Sequence, residues 1–248
     1  MNCLILAAGY ATRLYPLTEN FPKPLLTVGD KTILDWLLDD LDESGLIEGY
    51  TVISNHRYAP HFERWSKERG GNIRVLDDGT ESNETRLGAV KDIQLAVETL
   101  GLTGDTLVMA GDNLLDFSLA GFLRFAREKG TSCVMCYAEP DREKLKKMGV
   151  AEIAADGRMT AMAEKPAEPR SSWCIPPFYV FTAEDLPLVR EGIESDCGTD
   201  APGSFLAWLC TRRPVCAWPM PGRRYDVGNL ESYRAVQESY RGIRPSES

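Results

Sequence analysis

Short apolar runs alternating with longer segments of helical period constrain this 248-residue chain more than any other feature. Leu4-Ile5-Leu6, Tyr50 to Ser54, Ile73 to Leu76 and Thr106 to Ala110 read as strands, because such short apolar runs suit strands covered on both faces. Ile33 to Glu43, His61 to Gly70 and Leu87 to Leu100 read as helices. In the first of these, Ile33, Leu34, Leu37, Leu38 and Leu41 fall on one face. Strands joined by helices make βα units, and βα units build a mostly parallel sheet. The expected fold class is therefore α/β.

Beyond Thr106 to Ala110 the pattern continues with a helix over Leu119 to Lys129 and a strand over Cys133 to Tyr137. Gly149 to Ile153 and Met159 to Glu164 flank Asp156-Gly157, a strong hairpin signal. Phe178 to Phe181 and Val215 to Met220 read as strands. Ala183 to Glu194, Pro202 to Thr211 and Leu230 to Arg241 read as helices. No repeat or linker interrupts the pattern, so a single domain is expected over residues 1–243, with a loose tail over 244–248.

With 43% hydrophobic and 26% charged residues, the chain can bury a substantial core. The net charge of −9 argues against nucleic acid or an anionic membrane as a partner held by bulk electrostatics. Any phosphate ligand needs a local basic pocket. The cysteines number seven, an odd count spread along the chain, which points to reduced thiols and a cytoplasmic setting. Cys133 and Cys136 lie inside an apolar run and read as strand residues rather than a redox or zinc pair. The opening residues carry no basic region, and their apolar run is too short for a signal or a membrane segment.

The most informative stretch starts where the first strand ends: Leu6-Ala7-Ala8-Gly9-Tyr10-Ala11-Thr12-Arg13-Leu14, followed by Pro22-Lys23-Pro24. Small residues let the backbone wrap a ligand, and successive N–H groups make a concavity for phosphate oxygens. Arg13 adds a fixed charge, and Lys23, between two prolines, adds a compact ammonium. Neither a Gly-x-Gly-x-x-Gly fingerprint nor a Walker-type loop is present. Asp112 follows the strand Thr106 to Ala110 through Gly111, at the carboxyl end where open α/β sheets place ligands.

This ordered string resembles the sugar-1-phosphate nucleotidylyltransferases, the family of glucose-1-phosphate thymidylyl-, uridylyl- and guanylyltransferases, whose pattern is Gly-x-Gly-Thr-Arg-Leu followed by Pro-Lys. Ala11 replaces the second glycine. The resemblance spans nearly the whole chain and implies a Rossmann-like domain of the nucleotide-diphospho-sugar transferase type, with a nucleotide-binding part over about 1–130 and an acceptor-binding part over about 131–243. It implies an NTP and a sugar 1-phosphate as substrates, Mg²⁺ as cofactor, a homodimer, and no nucleic acid or membrane partner.

By the same resemblance Arg13 and Lys23 are catalytic, and Leu6, Ala7, Ala8, Gly9, Ala11 and Thr12 bind the nucleotide. Asp112 and Asp226 are the metal ligands; read alone, Asp226 before a helix would be a cap. Asp116 reads as a cap or turn residue. Glu84-Thr85-Arg86-Leu87-Gly88 resembles the family's Glu-x-x-Leu-Gly segment that approaches the base, which makes Gly88 a base contact, with Asn83 and Arg86 beside it. Met148-Gly149-Val150-Ala151-Glu152 and Glu164-Lys165-Pro166 resemble the segments lining the acceptor pocket, assigning Gly149, Glu164 and Lys165 to it.

Ser171 to Tyr179 departs from the family, with Pro176-Pro177 where a glycine is expected. Trp173 there suits a sugar face, a quaternary ammonium or plain packing. A cytidylyltransferase acting on phosphocholine or a phosphonate therefore stays open, as does a silent sugar-nucleotide-binding regulatory subunit. His56 and His61 sit at a loop and a helix entry; an ionised phosphate nucleophile needs no imidazole base.

Overall fold

The computed structural model describes residues 1–244. In chain order the elements are β1 (Asn2–Leu6), β2 (Thr27–Val28), β3 (Lys31–Thr32), α1 (Ile33–Ser44), β4 (Gly49–Ser54), α2 (Ala59–Arg69), β5 (Ile73–Asp77), α3 (Ala89–Leu100) and β6 (Thr106–Ala110). Then come β7 (Asn113–Leu115), α4 (Ala120–Lys129), β8 (Ser132–Ala138), α5 (Arg142–Leu145), β9 (Gly149–Ile153), β10 (Met159–Glu164), β11 (Trp173–Cys174) and β12 (Phe178–Phe181). The chain ends with α6 (Val189–Glu194), α7 (Pro202–Leu209), β13 (Val215–Pro219), β14 (Arg224–Asp226) and α8 (Leu230–Ser239).

These elements form two compact units, Met1–Arg86, Ala110–Gly121 and Pro221–Ser248 in the first, Leu87–Met109 and Phe122–Met220 in the second. The units do not coincide with parts divided once near residue 130, because the chain passes from one to the other and back. Of the tail expected over 244–248, residues 245–248 lie outside the described residues. Arg244 is tied down: its N–H donates to Asp116 O at 3.1 Å.

In the first unit β1 pairs with β4 and β4 with β5, all parallel. Parallel pairing brings the carboxyl ends of these strands, at Leu6, Ser54 and Asp77, to one edge, and the loops leaving them gather there. Helix α1 starts where Thr32 accepts from Asp35 N–H at 3.0 Å and stops at Gly45, whose φ of 64° only glycine adopts freely. Its Ile33, Leu34, Leu37, Leu38 and Leu41 are buried, as the periodicity requires. A short antiparallel ribbon pairs β7 with β14 and sets Asp226 opposite Asn113.

The second unit is largely antiparallel. Strand β12 pairs with β6 and with β8, β11 joins β8 to β9, and β10 closes the hairpin with β9. Strand β13 runs parallel to β8. The α/β class thus holds as a mixed sheet flanked by helices, and the hairpin signal at Asp156-Gly157 is answered by β9 and β10. Cys133 and Cys136 are buried in β8 as free thiols, and burial pushes both up to about 12.

Several expected helices are shorter in the structure; α4 and α7 lose one and two terminal residues, and three others have a clear physical reason. Leu87 to Leu100 starts at Ala89, because Gly88 takes a φ of 92° that no helix admits. Ala183 to Glu194 keeps only α6 after a 3-10 turn over Leu186–Leu188, where Pro187 lacks an N–H for a helical bond. The last helix ends at Ser239, and Tyr240 takes an extended conformation that sends its hydroxyl to Leu115 O at 2.8 Å.

Candidate active site

The loop after β1 is held from beneath by buried polar groups. Asn55, fully buried, donates from Nδ2 to Ala8 O at 2.9 Å and accepts from Tyr58 N–H at 3.0 Å. Thr18 Oγ1 donates to Ala11 O at 2.8 Å. Ala11 has φ 45° and ψ 43°, a left-handed conformation that costs a residue with a Cβ about 1 kcal/mol. That turn launches the 3-10 helix Thr12–Leu14 and presents Arg13 to the side on which the loop opens.

Leu6, Ala7, Gly9, Ala11, Arg13 and Lys23 line one open cleft with Pro24, Asp112, Val227 and Gly228. Ala8 and Thr12 are not among its walls. Lys23 enters the cleft from a 3-10 turn whose prolines restrict its neighbours, and its side chain is 8% exposed. Its ammonium meets Asp112 Oδ2 at 2.8 Å. Burial works to raise the Asp112 carboxyl, but Lys23, with Arg224 adding to it, outweighs burial and holds it below the usual carboxylate range.

Asp226 stands across the β7–β14 ribbon from the residue after Asp112, and its side chain is 63% exposed. A carboxylate in the turn just before β7 and another at the end of its partner β14 are a donor set that suits Mg²⁺, which binds one or two carboxylates and takes its other ligands from phosphate oxygens and water. Among the described residues no three carboxylate, histidine or cysteine side chains converge as a metal cage.

In the second unit Glu164 lies at the end of β10, opposite Gly149 of β9. Its carboxylate sits where side chains on two glycines would intrude. A Cβ on Gly203, in the first turn of α7, would stand 1.8 Å from Glu164 Oε1, and one on Gly149 would stand 3.1 Å away. Burial raises the Glu164 carboxyl, with Lys165 opposing and Asp200 adding to the effect. Lys165 has a φ of 46°, pinned by its N–H to Met148 O at 3.0 Å, and its ammonium lies 4.0 Å from Asp200 Oδ2. Three non-glycine residues have positive φ among the described residues, and two of them, Ala11 and Lys165, fall in these sites. Trp173 pairs with Ala151, which pairs with Met162, so its side chain shares the sheet face that carries Glu164.

A model of the nucleotidyl transferase family matches residues 2–242. The chain belongs to that family. Among its relatives, a UTP–glucose-1-phosphate uridylyltransferase of Synechocystis sp. is 26% identical, across 100% of this chain and 64% of its own length. Another of that name, from Haloferax volcanii, is 30% identical across 73% of this chain and 72% of its own. The chain spans about two thirds or less of the length of several of these relatives. A solved UDP-glucose pyrophosphorylase complexed with UDP-glucose shares the fold, with a TM-score of 0.81, 21% identity, and 96% of this chain and 97% of that one covered.

Within this nucleotidyl transferase chain, the structure brings Arg13, Lys23 and Asp112 together with the loop after β1. It brings Gly149, Glu164 and Lys165 together in the second unit. Asn83 and Arg86 bond to each other at 2.9 Å in an exposed turn of the first unit. Gly88, in the second, packs its backbone against Thr199 and Asp200. Several participants were not legible beforehand: Asn55 and Thr18 beneath the loop, Asn113 and Arg224 beside the aspartates, Gly203 and Asp200 beside Glu164. Asp116 is no helix cap; its buried carboxylate accepts from Arg223 N–H at 2.7 Å and so holds the strand that carries Asp226.

Proposed function

We propose that this chain transfers a nucleotidyl group from an NTP to a sugar 1-phosphate, giving an NDP-sugar and pyrophosphate. The observation that carries the reading is the cleft in which Arg13, the Lys23–Asp112 pair and the open loop after β1 face one space. Two anions must meet for this reaction, and fixed cations offset their repulsion. Arg13 neutralises the triphosphate, backbone N–H groups of the loop beyond Ala7, whose own N–H is taken by Ile53 O, receive its oxygens, and Lys23 stabilises charge at the α-phosphate. Asp112 and Asp226 hold Mg²⁺, which supplies further charge neutralisation when bound. Gly88, Asn83 and Arg86 are assigned to the base on the family resemblance.

On the acceptor side, Glu164 accepts hydrogen bonds from hydroxyls and Lys165 holds the phosphate. The acceptor oxygen is already ionised, so it attacks the α-phosphorus in line with the leaving pyrophosphate and no base is needed. The seven free thiols suit a cytoplasmic enzyme, and no described helix is long and apolar enough to cross a membrane.

A specific observation favours a second reading of the acceptor. Ile175 N–H is taken by Gly149 O and Phe178 N–H by Pro176 O, while Pro176 and Pro177 have none. From Ile175 to Phe178 no backbone N–H is left for a sugar hydroxyl, and Trp173 lies on the sheet face of Glu164. Phosphocholine or a phosphonate, with CTP, fits such a wall. Pyrophosphate release with Mg²⁺ decides, measured across five NTPs against sugar 1-phosphates, phosphocholine and 2-aminoethylphosphonate. Turnover that requires one NTP and one sugar 1-phosphate supports the leading reading. CTP with a cationic acceptor replaces the sugar, and silence with every pair overturns the transfer itself.

A further inference from the structure

Beside the two aspartates lies a relay that the motifs do not contain. Arg224 Nη1 donates to Asn113 Oδ1 at 2.7 Å, and Asn113 Nδ2 donates to Asp112 Oδ1 at 3.0 Å. The same Nη1 lies 3.8 Å from Asp226 Oδ1, and the Arg224 side chain is only 15% exposed. One guanidinium therefore touches the second aspartate directly and the first through an amide.

The direction of the relay follows from donor chemistry. A guanidinium has donors and no acceptor, so the amide oxygen of Asn113 must face Arg224. The amide nitrogen then faces Asp112, where a carboxylate needs a donor. With Arg224 gone, the amide oxygen loses the donor that pins it, and the orientation of Asn113 rests only on its Nδ2 bonds, to Asp112 Oδ1 and, at 3.4 Å, to Ala110 O. Asp112 is meanwhile held on its other oxygen by Lys23 at 2.8 Å, so two donors, one on each oxygen, fix its orientation.

We propose that Arg224, acting through Asn113, is a positioning residue that orients the Asp112 carboxylate and sets it against Asp226, and so governs divalent-cation affinity. The inference rests on the proposed nucleotidyl transfer, in which those two carboxylates share one cation. Partners behind metal ligands typically change metal affinity by about 10–100-fold when removed.

The test is Mn²⁺ binding to the full chain, followed by electron paramagnetic resonance with inorganic tripolyphosphate present, so that no base needs to be known. Arg224→Met should weaken Mn²⁺ binding by about 10–100-fold. Arg224→Lys, which keeps a donor, should restore most of it. At saturating Mg²⁺ the KM values for both substrates should stay within about twofold of wild type, a split that general loosening of the fold would not give. If Arg224→Met does not fold, Asn113→Leu breaks the same relay and should show the same loss. Wild type that binds no Mn²⁺ removes the metal reading and this inference with it. Wild type that binds, with Arg224→Met or Asn113→Leu binding equally or more tightly, overturns the inference alone.

Discussion

Lys23 Nζ and Asp112 Oδ2 meet at 2.8 Å, yet the two side chains are unequally buried, 8% exposed for the lysine and 41% for the aspartate. The lysine depends on the pair more than the aspartate does. Removing a partner from a fully buried pair costs about 3–5 kcal/mol, and the half-open aspartate lowers that to about 1–2 kcal/mol for Lys23→Met by exposure to water. Asp112→Ala leaves the buried ammonium alone and should be the more destabilising of the two in urea denaturation. Both should lower turnover by orders of magnitude. The reverse order of stabilities would show that Lys23 finds another partner.

Asp226 tests the metal assignment with less interference. Its side chain is 63% exposed, so Asp226→Ala should leave the melting temperature within about 2 °C of wild type, as most surface changes do. Turnover should fall at least a hundredfold. The buried Asp116 gives the opposite contrast: Asp116→Ala strands Arg223 N–H and should cost about 1–3 kcal/mol of stability. Wild-type turnover in Asp226→Ala would end its role as a ligand.

Ala11 is where local strain and the proposed chemistry coincide. At φ 45° its Cβ is unfavourable, whereas glycine takes that conformation freely at some entropic cost in the unfolded chain. Ala11→Gly should therefore stabilise the protein by about 0.5–1 kcal/mol. Ala11→Val, β-branched in the left-handed region, should destabilise it and narrow the cleft. If Ala11→Gly proves less stable, the bond from Thr18 does not hold the turn as described.

What the sequence showed and what it hid divide by distance along the chain. Helix α1 and strand β6 were legible because their burial follows from local periodicity, Leu34 to Leu41 on one face and Thr106 to Ala110 in one run. Strand β7 was not, because Asn113–Leu115 is a strand only by virtue of β14, more than a hundred residues away. Asp116 sits in a bend, as one of its two readings had it, but its tie to Arg223 stayed hidden for the same reason, since that partner lies 107 positions on. Within the candidate sites, residues whose chemistry is their own, such as Arg13 and Lys23, stood out. Residues that act by supporting others, Asn55, Asn113 and Arg224, did not, because a buried amide or guanidinium has no local signature.

Glu164 gives a prediction with a definite sign. Burial raises its carboxyl, so the folded protein binds this proton more tightly than the unfolded chain. Stability from this group is greatest below the ordinary glutamate range and falls as pH rises through that range to the folded value. Glu164→Gln has no such proton and should flatten that decline in denaturant midpoints measured from about pH 4 to pH 7. The same variant should raise KM for the acceptor while leaving KM for the NTP unchanged. Gly203→Ala, whose Cβ would stand 1.8 Å from Glu164 Oε1, should displace the carboxylate and reproduce the acceptor defect. A Gly203→Ala enzyme with an ordinary acceptor KM would mean that Glu164 takes no part in holding the acceptor.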